Sequence, residues 1–308
     1  MTGKRPAGES RLLQVVYYGY VAGSALARAL PERWVYALAQ RAGAVAAKRS
    51  KRSAQVALNL SRIVGEPPDS EMVRALVVDA YRSYARYWLE TFRLVREGRD
   101  FFLERFRGIG DEKMDKALAQ GKGVVVVVGH LGNWDAAGAW VGARGNRLVT
   151  VAEVLRPRRM FEFFAEHRAR LGMTIYGAEP GVTAKLTEEA EHGAVVAILG
   201  DRDLKGNGVR TDFFGEPATF PRGAASIALR ADVPVLVAGV YERPLPDGRR
   251  GWVAEFSDPL PLPEGDGPEA VDELTRTIAA GLEDCVARHP EQWHVFQPFW
   301  VVDRPPPR

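Results

Sequence analysis

A chain of 308 residues, 46% apolar and 26% charged, fits one large domain or two small ones and is too apolar to be disordered. Its one cysteine, Cys285, excludes a disulfide framework and any cysteine-built zinc site, which suits a reducing compartment. The net charge of +3 is uneven: residues 1–60 hold ten Lys/Arg against two Asp/Glu, a net of +8, which leaves −5 for the remainder.

The basic end also carries an apolar run. From Leu12 to Ala27 there are sixteen residues without a charge, short of the about 20 apolar residues that a membrane span needs. No signal-peptide cleavage region followed by a secreted-type chain is evident. The pattern predicts a helix lying on a membrane. Its tyrosines suit the interface, and Lys48–Arg52 (KRSKR) can meet anionic lipid. The plainer alternative is a core helix followed by a solvated basic loop.

In chain order, residues 11–64 read as helices, with Pro31 opening the second and Gly65-Glu66-Pro67-Pro68 as a break. Ser70 to about Arg96 reads as one long helix. Along it Tyr81, Tyr84, Tyr87, Trp88 and Phe92 form an aromatic stripe, a core face or the wall of an acyl groove. A helix over 111–120 leads into Val124–Val128, five valines that read as a strand buried on both faces. Gly129 allows a turn, Gly132 and Asn133 are plausible caps, and Trp134, Ala137, Gly138 and Val141 put one face of the next helix on the sheet. Further strands are predicted at 147–151, 173–176, 194–199, 233–241 and 252–256. Helices are predicted at 158–171, 182–191, 222–231 and 270–288. The tail 289–300 is aromatic and folds back if it packs at all; the proline-rich end after Asp303 reads as frayed. Strands alternating with helices predict an α/β fold, a central mostly parallel or mixed sheet surrounded by helices.

The sharpest chemical pair is His130 with Asp135. His130 follows a buried strand directly, at the end where open α/β sheets place their ligands. Asp135 lies in the first turns of the next helix, so the chain can fold its carboxylate back onto the ring. A histidine whose second nitrogen donates to a carboxylate is a better base, and such a dyad takes a proton from a substrate hydroxyl without a nucleophilic serine. The competing reading is a hydrogen-bonded core histidine. Asp201-Arg202-Asp203 ends another buried strand in the same manner, so Asp201 can approach His130 if the two strands are near neighbours; the alternative is a salt-bridged surface turn. Arg156, Arg158, Arg159 and Arg168 form a basic group suited to phosphate, or simply a solvated helix face.

Neither G-x-G-x-x-G after a strand nor G-x-x-x-x-G-K-[ST] occurs, and G-x-S-x-G is missing too, which argues against a serine hydrolase of the α/β type. His167, His192, His289 and His294 lack comparable strand-end contexts, so no metal is expected.

These residues resemble one family. GHLGNWD (Gly129–Asp135) looks like the H-x-x-x-x-D block of the lysophospholipid-acyltransferase-like enzymes, in particular the branch with the lipid A late acyltransferases. Asp201-Arg202-Asp203-Leu204, Phe213-Phe214-Gly215, Pro221-Arg222-Gly223-Ala224 and Pro290-Glu291-Gln292-Trp293 match that branch's later segments in order. Ser83–Leu94 (SYARYWLETFRL) is especially similar to its phosphatidylinositol mannoside members. The resemblance spans roughly residues 12–300. It implies one acyltransferase domain over 1–308, with a helical membrane-associating part over 11–64, a catalytic core over 70–300 and a groove for the acyl chain.

The implied activity is transfer of a fatty acyl chain, commonly palmitoyl, from acyl-CoA to a mannose hydroxyl of phosphatidylinositol mannoside at the cytoplasmic face of the inner membrane. A lipid A precursor as acceptor, an acyl-CoA thioesterase and a non-catalytic lipid-binding protein are the alternatives. His130 is then the base, Asp135 its orienting partner and Asp201 a second acidic residue, with Arg168, Arg202, Glu153 and Arg156 as the substrate-binding set. Backbone N–H groups near Gly132 are candidates for the oxyanion. No cofactor and no nucleic-acid partner are implied; the partners are acyl-CoA, a glycolipid and an anionic membrane surface. One departure stands out. Those mannoside enzymes carry glutamate where this chain has Asp201, one methylene shorter, which leaves direct contact with His130 and contact through water both open.

Overall fold

The computed structural model describes residues 11–204 and 206–304. Four helices come first: α1 (Arg11–Ala29), α2 (Glu32–Arg49), α3 (Ser53–Val64) and α4 (Glu71–Leu94). Pro31 stands at the N-cap of α2, Gly65 ends α3 in the left-handed conformation, and Ser70 caps α4 by accepting the Val73 N–H. Next come α5 (Arg99–Arg105), β1 (Phe106–Ile109), α6 (Glu112–Leu118), β2 (Val124–Val128), α7 (Trp134–Ala143), β3 (Leu148–Ala152), α8 (Arg158–Arg170) and β4 (Met173–Gly177). The chain continues through α9 (Val182–Glu191), β5 (Val195–Leu199), β6 (Val209–Phe213), β7 (Glu216–Phe220), α10 (Gly223–Ala231), β8 (Val235–Pro244), β9 (Arg250–Phe256) and α11 (Pro268–Arg288).

Seven strands form one sheet in the order β1-β9-β8-β2-β5-β3-β4. β8, β2, β5, β3 and β4 run parallel; β9 is antiparallel to β8, and β1 is parallel to β9. The sheet is therefore mixed and mostly parallel, as the alternating pattern predicts. β2 sits at its centre, and its valines feed two cores. Val125 and Val127 join the core under α9, α10, α11 and the tail, whereas Val124 and Val126 join the core under α6 and α7. A valine run is what such a strand needs, since a polar residue on either face would be buried without a partner.

The first four helices make a separate layer. Helix α4 is its keel, packing against α1, α2, α3 and α7. A third cluster, with Val56, Leu60, Val73, Val77 and Tyr81, joins this layer to Phe296 of the tail. The tail does fold back: Trp293, Val295, Phe296, Phe299 and Trp300 are buried.

Four short elements escape the periodicity: α5, β1, β6 and β7. β1 is only four residues long and contains a glycine. β6 and β7 form a two-stranded hairpin apart from the main sheet, closed by Phe214 and Gly215, both at positive φ, the conformation of a tight two-residue turn. The proline in β7 hides that strand from a pattern search. The frayed end expected after Asp303 lies, from residue 305, outside the described residues.

Candidate active site

The register of the sheet builds the centre of the site. β2 and β5 are parallel neighbours, with Val128 opposite Leu199. His130 and Asp201 each lie two residues beyond those ends, so the pairing brings them side by side. The His130 ring Nδ1 is 2.6 Å from Asp201 Oδ1, and the His130 backbone N–H donates to Oδ2 at 2.8 Å. Trp293 donates its indole N–H to the same Oδ2 at 2.9 Å. Asp201 is fully buried while 16% of the His130 side chain is exposed. Burial by itself would raise the pKa of Asp201; the imidazole and the N–H donors outweigh it and hold the carboxyl below its ordinary value. With Asp201 accepting Nδ1–H, Nε2 is left as the ring's acceptor nitrogen.

The loop between β2 and α7 is clamped. Leu131 forms an antiparallel bridge with Trp293. The Gly132 N–H donates to the Gln292 carbonyl at 2.9 Å and the His294 N–H to the His130 carbonyl at 2.7 Å. Gly132 has φ +60, and a Cβ there would collide with the Val240 carbonyl. The Gly132 amide, a sequence candidate for an oxyanion donor, is thus already spent on Gln292.

Asp135 is placed elsewhere than the sequence reading put it. It does not reach the imidazole; Asp201 takes that position. From the first turn of α7, Asp135 accepts Arg168 Nε at 2.6 Å, the Tyr87 hydroxyl at 2.9 Å and Thr91 Oγ1 at 3.4 Å. The reason is helical geometry: a residue in the first turn points off the helix side, here toward α4 and α8, while the strand-end loop carries His130 toward β5. Burial raises the Asp135 pKa, and Arg168 with the Tyr87 hydroxyl and His167 together lower it by more, so the group is an ionised partner of Arg168.

A cleft of about 330 Å³ opens over His130. α4 supplies Tyr84, Tyr87 and Trp88; the end of β3 and α8 supply Glu153, Phe164 and Arg168; Arg52, Arg202, His294, Phe296 and Gln297 complete the lining. The cleft thus gathers His130, Glu153, Arg168 and Arg202, whereas Arg156 is exposed beyond β3 and does not line it. Of the aromatic stripe, Tyr84, Tyr87 and Trp88 form the wall and Tyr81 and Phe92 are core. A narrow apolar cavity of about 90 Å³ adjoins the cleft, sharing Trp134, Ala152, Arg168 and Leu199 with it. It runs between α7 and the sheet past Ala137, Gly138, Ala197 and Ala238 toward Met114 and Phe256.

Two features of the site were missed by sequence reasoning. His294, which lacks a strand-end context in the sequence, lies on the cleft wall with Nε2 3.0 Å from Ser83 Oγ. Burial, then the nearby Arg86 and His130, push its pKa well below the ordinary histidine value, so the ring is neutral. Its Nδ1 and the Trp134 Nε1 have no hydrogen-bond partner among the described residues. Glu90, buried in α4, accepts from Tyr36 of α2 at 2.8 Å, Trp252 of β9 at 3.1 Å and Asn133 at 2.9 Å. Asn133 in turn caps α7 by accepting the Ala136 N–H. The signals were present, His294 beside the Trp293 motif and Glu90 as an acid on an aromatic helix face, but neither has a spacing that marks it. Cys285 is remote: burial in α11 raises its pKa to about 11, and it does not line the cleft. Among the described residues no group of three or more His, Cys, Asp or Glu could hold a metal ion.

A mixed sheet with a histidine–carboxylate pair at a central strand end, an aromatic cleft and an apolar slot beneath it defines an acyl-transfer architecture. The chain belongs to the bacterial lipid A biosynthesis acyltransferase family, whose profile matches residues 6–301, and it is an acyltransferase. It is 33% identical over 309 residues to the phosphatidylinositol mannoside acyltransferase of Mycolicibacterium smegmatis, covering 98% of this chain and 96% of that protein. To the phosphatidylinositol mannoside acyltransferase of Mycobacterium tuberculosis it is 34% identical over 291 residues, 93% of this chain and 89% of the relative.

The two buried carboxylates set an acid limit on the fold. Asp135 and Asp201 have lower pKa values folded than unfolded, so the unfolded chain binds more protons as pH falls. Their stabilisation is complete above the unfolded value of about 4 and is lost as pH drops through the folded values. Denaturant midpoints measured from pH 7 to pH 3 should fall on the acid side. Asp135→Asn and Asp201→Asn should each flatten that limb; an unchanged pH profile in both would remove the pairs as its source.

Proposed function

We propose that the chain moves a fatty acyl group, palmitoyl for preference, from acyl-CoA to a mannose hydroxyl of a phosphatidylinositol mannoside. The observation that carries the reading is the His130–Asp201 pair, with Nε2 left to the cleft. The acceptor hydroxyl gives its proton to Nε2 as its oxygen attacks the thioester carbonyl. Asp201 stabilises the imidazolium, which then protonates the departing CoA thiolate. No acyl-enzyme forms in this reading, since among the described residues no serine or cysteine lines the cleft. Trp134 and His294 line the cleft, and their buried Nε1 and Nδ1 have no hydrogen-bond partner among the described residues. Asp135 acts through Arg168, holding that guanidinium on the cleft rim.

The assay pairs palmitoyl-CoA with a phosphatidylinositol mannoside and, separately, a lipid A precursor. His130→Ala should lose roughly 10²–10⁴-fold in transfer and stay folded, since the His130 backbone and Trp293 still donate to Asp201. Wild-type turnover by that variant would end the mechanism. Product from the lipid A precursor alone would change the acceptor. CoA release with no lipid product would favour a thioesterase.

The apolar slot takes the acyl chain in this reading. A side chain grown into it should shorten the chain accepted, so Ala197→Leu should turn the preference from palmitoyl-CoA toward shorter acyl-CoAs. An unaltered chain-length profile would place the acyl chain elsewhere.

The enzyme works at the cytoplasmic face of the membrane, docked by its first helices. Tyr18, Leu26, Trp34, Leu38 and Val45 on α1 and α2 are exposed apolar residues beside a basic segment. Among the described residues no helix is long and apolar enough to cross a membrane. Co-sedimentation with anionic vesicles should weaken as salt rises; equal retention on neutral vesicles at every salt would refute the electrostatic part.

A further inference from the structure

The cleft holds more positive charge than proton transfer and acyl transfer use. Arg168 is neutralised by Asp135; two other arginines are not neutralised by any carboxylate among the described residues. Arg52 closes the Lys48–Arg52 run, sits at the N-cap of α3, and lines the cleft. Arg202 follows Asp201 directly. With the Gln297 amide turned so that its oxygen faces the guanidinium, Arg202 donates to it from Nε at 2.6 Å and Nη2 at 3.2 Å. An amide fixes the fork but leaves the charge intact.

The two arginines line the same cleft, and the tail links the elements that carry them. Asn59 of α3 donates to the Val295 carbonyl at 2.9 Å and the Gln297 carbonyl at 3.0 Å. The segment that grips Arg202 is thus fastened to the helix that begins at Arg52. Glu153, the other charged residue of the cleft, belongs to the opposite supporting element, the end of β3. Two uncompensated guanidinium groups beside an aromatic wall call for a fixed anion, and planar forks suit phosphate oxygens best.

We propose that Arg52 and Arg202 form a binding site for a phosphate group of a substrate, at the α3 end of the cleft. The site rests on the acyl-transfer reading only for which molecule carries that phosphate. An inositol phospholipid acceptor carries a phosphodiester and acyl-CoA carries phosphates of its own. Arg52 lies in the N-terminal helical layer with the exposed apolar residues, which favours a lipid entering from a membrane with its phosphodiester at Arg52 and its sugar at His130.

Binding of two soluble probes, glycerophosphoinositol and coenzyme A, tests the site without turnover. Calorimetry on the wild-type protein should detect at least one of them, with affinity falling as salt rises. Arg52→Gln and Arg202→Gln should each weaken that probe about tenfold or more, and Arg52→Lys should retain part of the affinity. Loss of glycerophosphoinositol assigns the site to the acceptor; loss of coenzyme A assigns it to the donor. A wild-type protein that binds neither probe, or glutamine variants that bind both unchanged, overturns it. Arg52 is exposed, so Arg52→Gln keeps the test open if Arg202→Gln fails to fold. Failure of the acyl-transfer reading would show instead as intact probe binding without acylated lipid.

Discussion

Asp201 is the constraint on which the site depends. A carboxylate with no exposure to solvent is tolerable only if its lone pairs are taken. Here they are taken by the His130 ring, the His130 amide and the Trp293 indole. These donors come from the end of β2 and from the tail, so one buried charge fixes the imidazole, the loop that carries it and the segment that covers it. Parallel pairing of β2 with β5 sets the positions before any side chain acts. The charge then selects the rotamer and tautomer of the histidine.

A second polar centre supports the first without touching it. Glu90 joins α2, α4, β9 and the cap of α7 through three donors. Asp135 joins α7 to α8 and α4 through Arg168 and Tyr87. Helix α7, which forms the roof of the apolar slot, is thus held at its N-terminus by two buried acids of opposite character. Burial raises the pKa of Glu90, whereas at Asp135 Arg168, Tyr87 and His167 together outweigh burial and lower it. At Glu90 the Arg86 guanidinium stands 3.8 Å away and the Glu242 carboxylate opposes it, so burial prevails; at Asp135 the Arg168 guanidinium bonds directly at 2.6 Å.

Much of this was legible in the sequence because it follows from local rules. Five valines could only be a strand buried on both faces, and an apolar strand ending in Gly-His placed the histidine at the carboxyl edge of a sheet. That Asp201 ends a like strand was legible too. That β5 pairs with β2, and so that Asp201 rather than Asp135 meets the ring, is a fact of strand order, which sequence separation does not encode. Asp135 was drawn to His130 by closeness along the chain, yet five residues of turn and helix carried it to another neighbour. His294 and Glu90 stayed invisible for a related reason: each acts through contacts across elements and not through any motif of its own. The β6–β7 hairpin was lost to a proline and to a turn written Phe-Gly instead of Asn-Gly.

The tail has a temporal consequence. Residues 292–294 supply the carbonyl that takes the Gly132 N–H, the indole that takes part of the Asp201 charge, and the amide bonded to the His130 carbonyl. They follow every strand of the sheet in chain order, so the strands they clamp are synthesised first. A chain still emerging from the ribosome can assemble most of its sheet, but its catalytic loop lacks both backbone clamps and Asp201 lacks one of its donors. Competence at the site is therefore tied to a segment that follows the whole sheet in the chain.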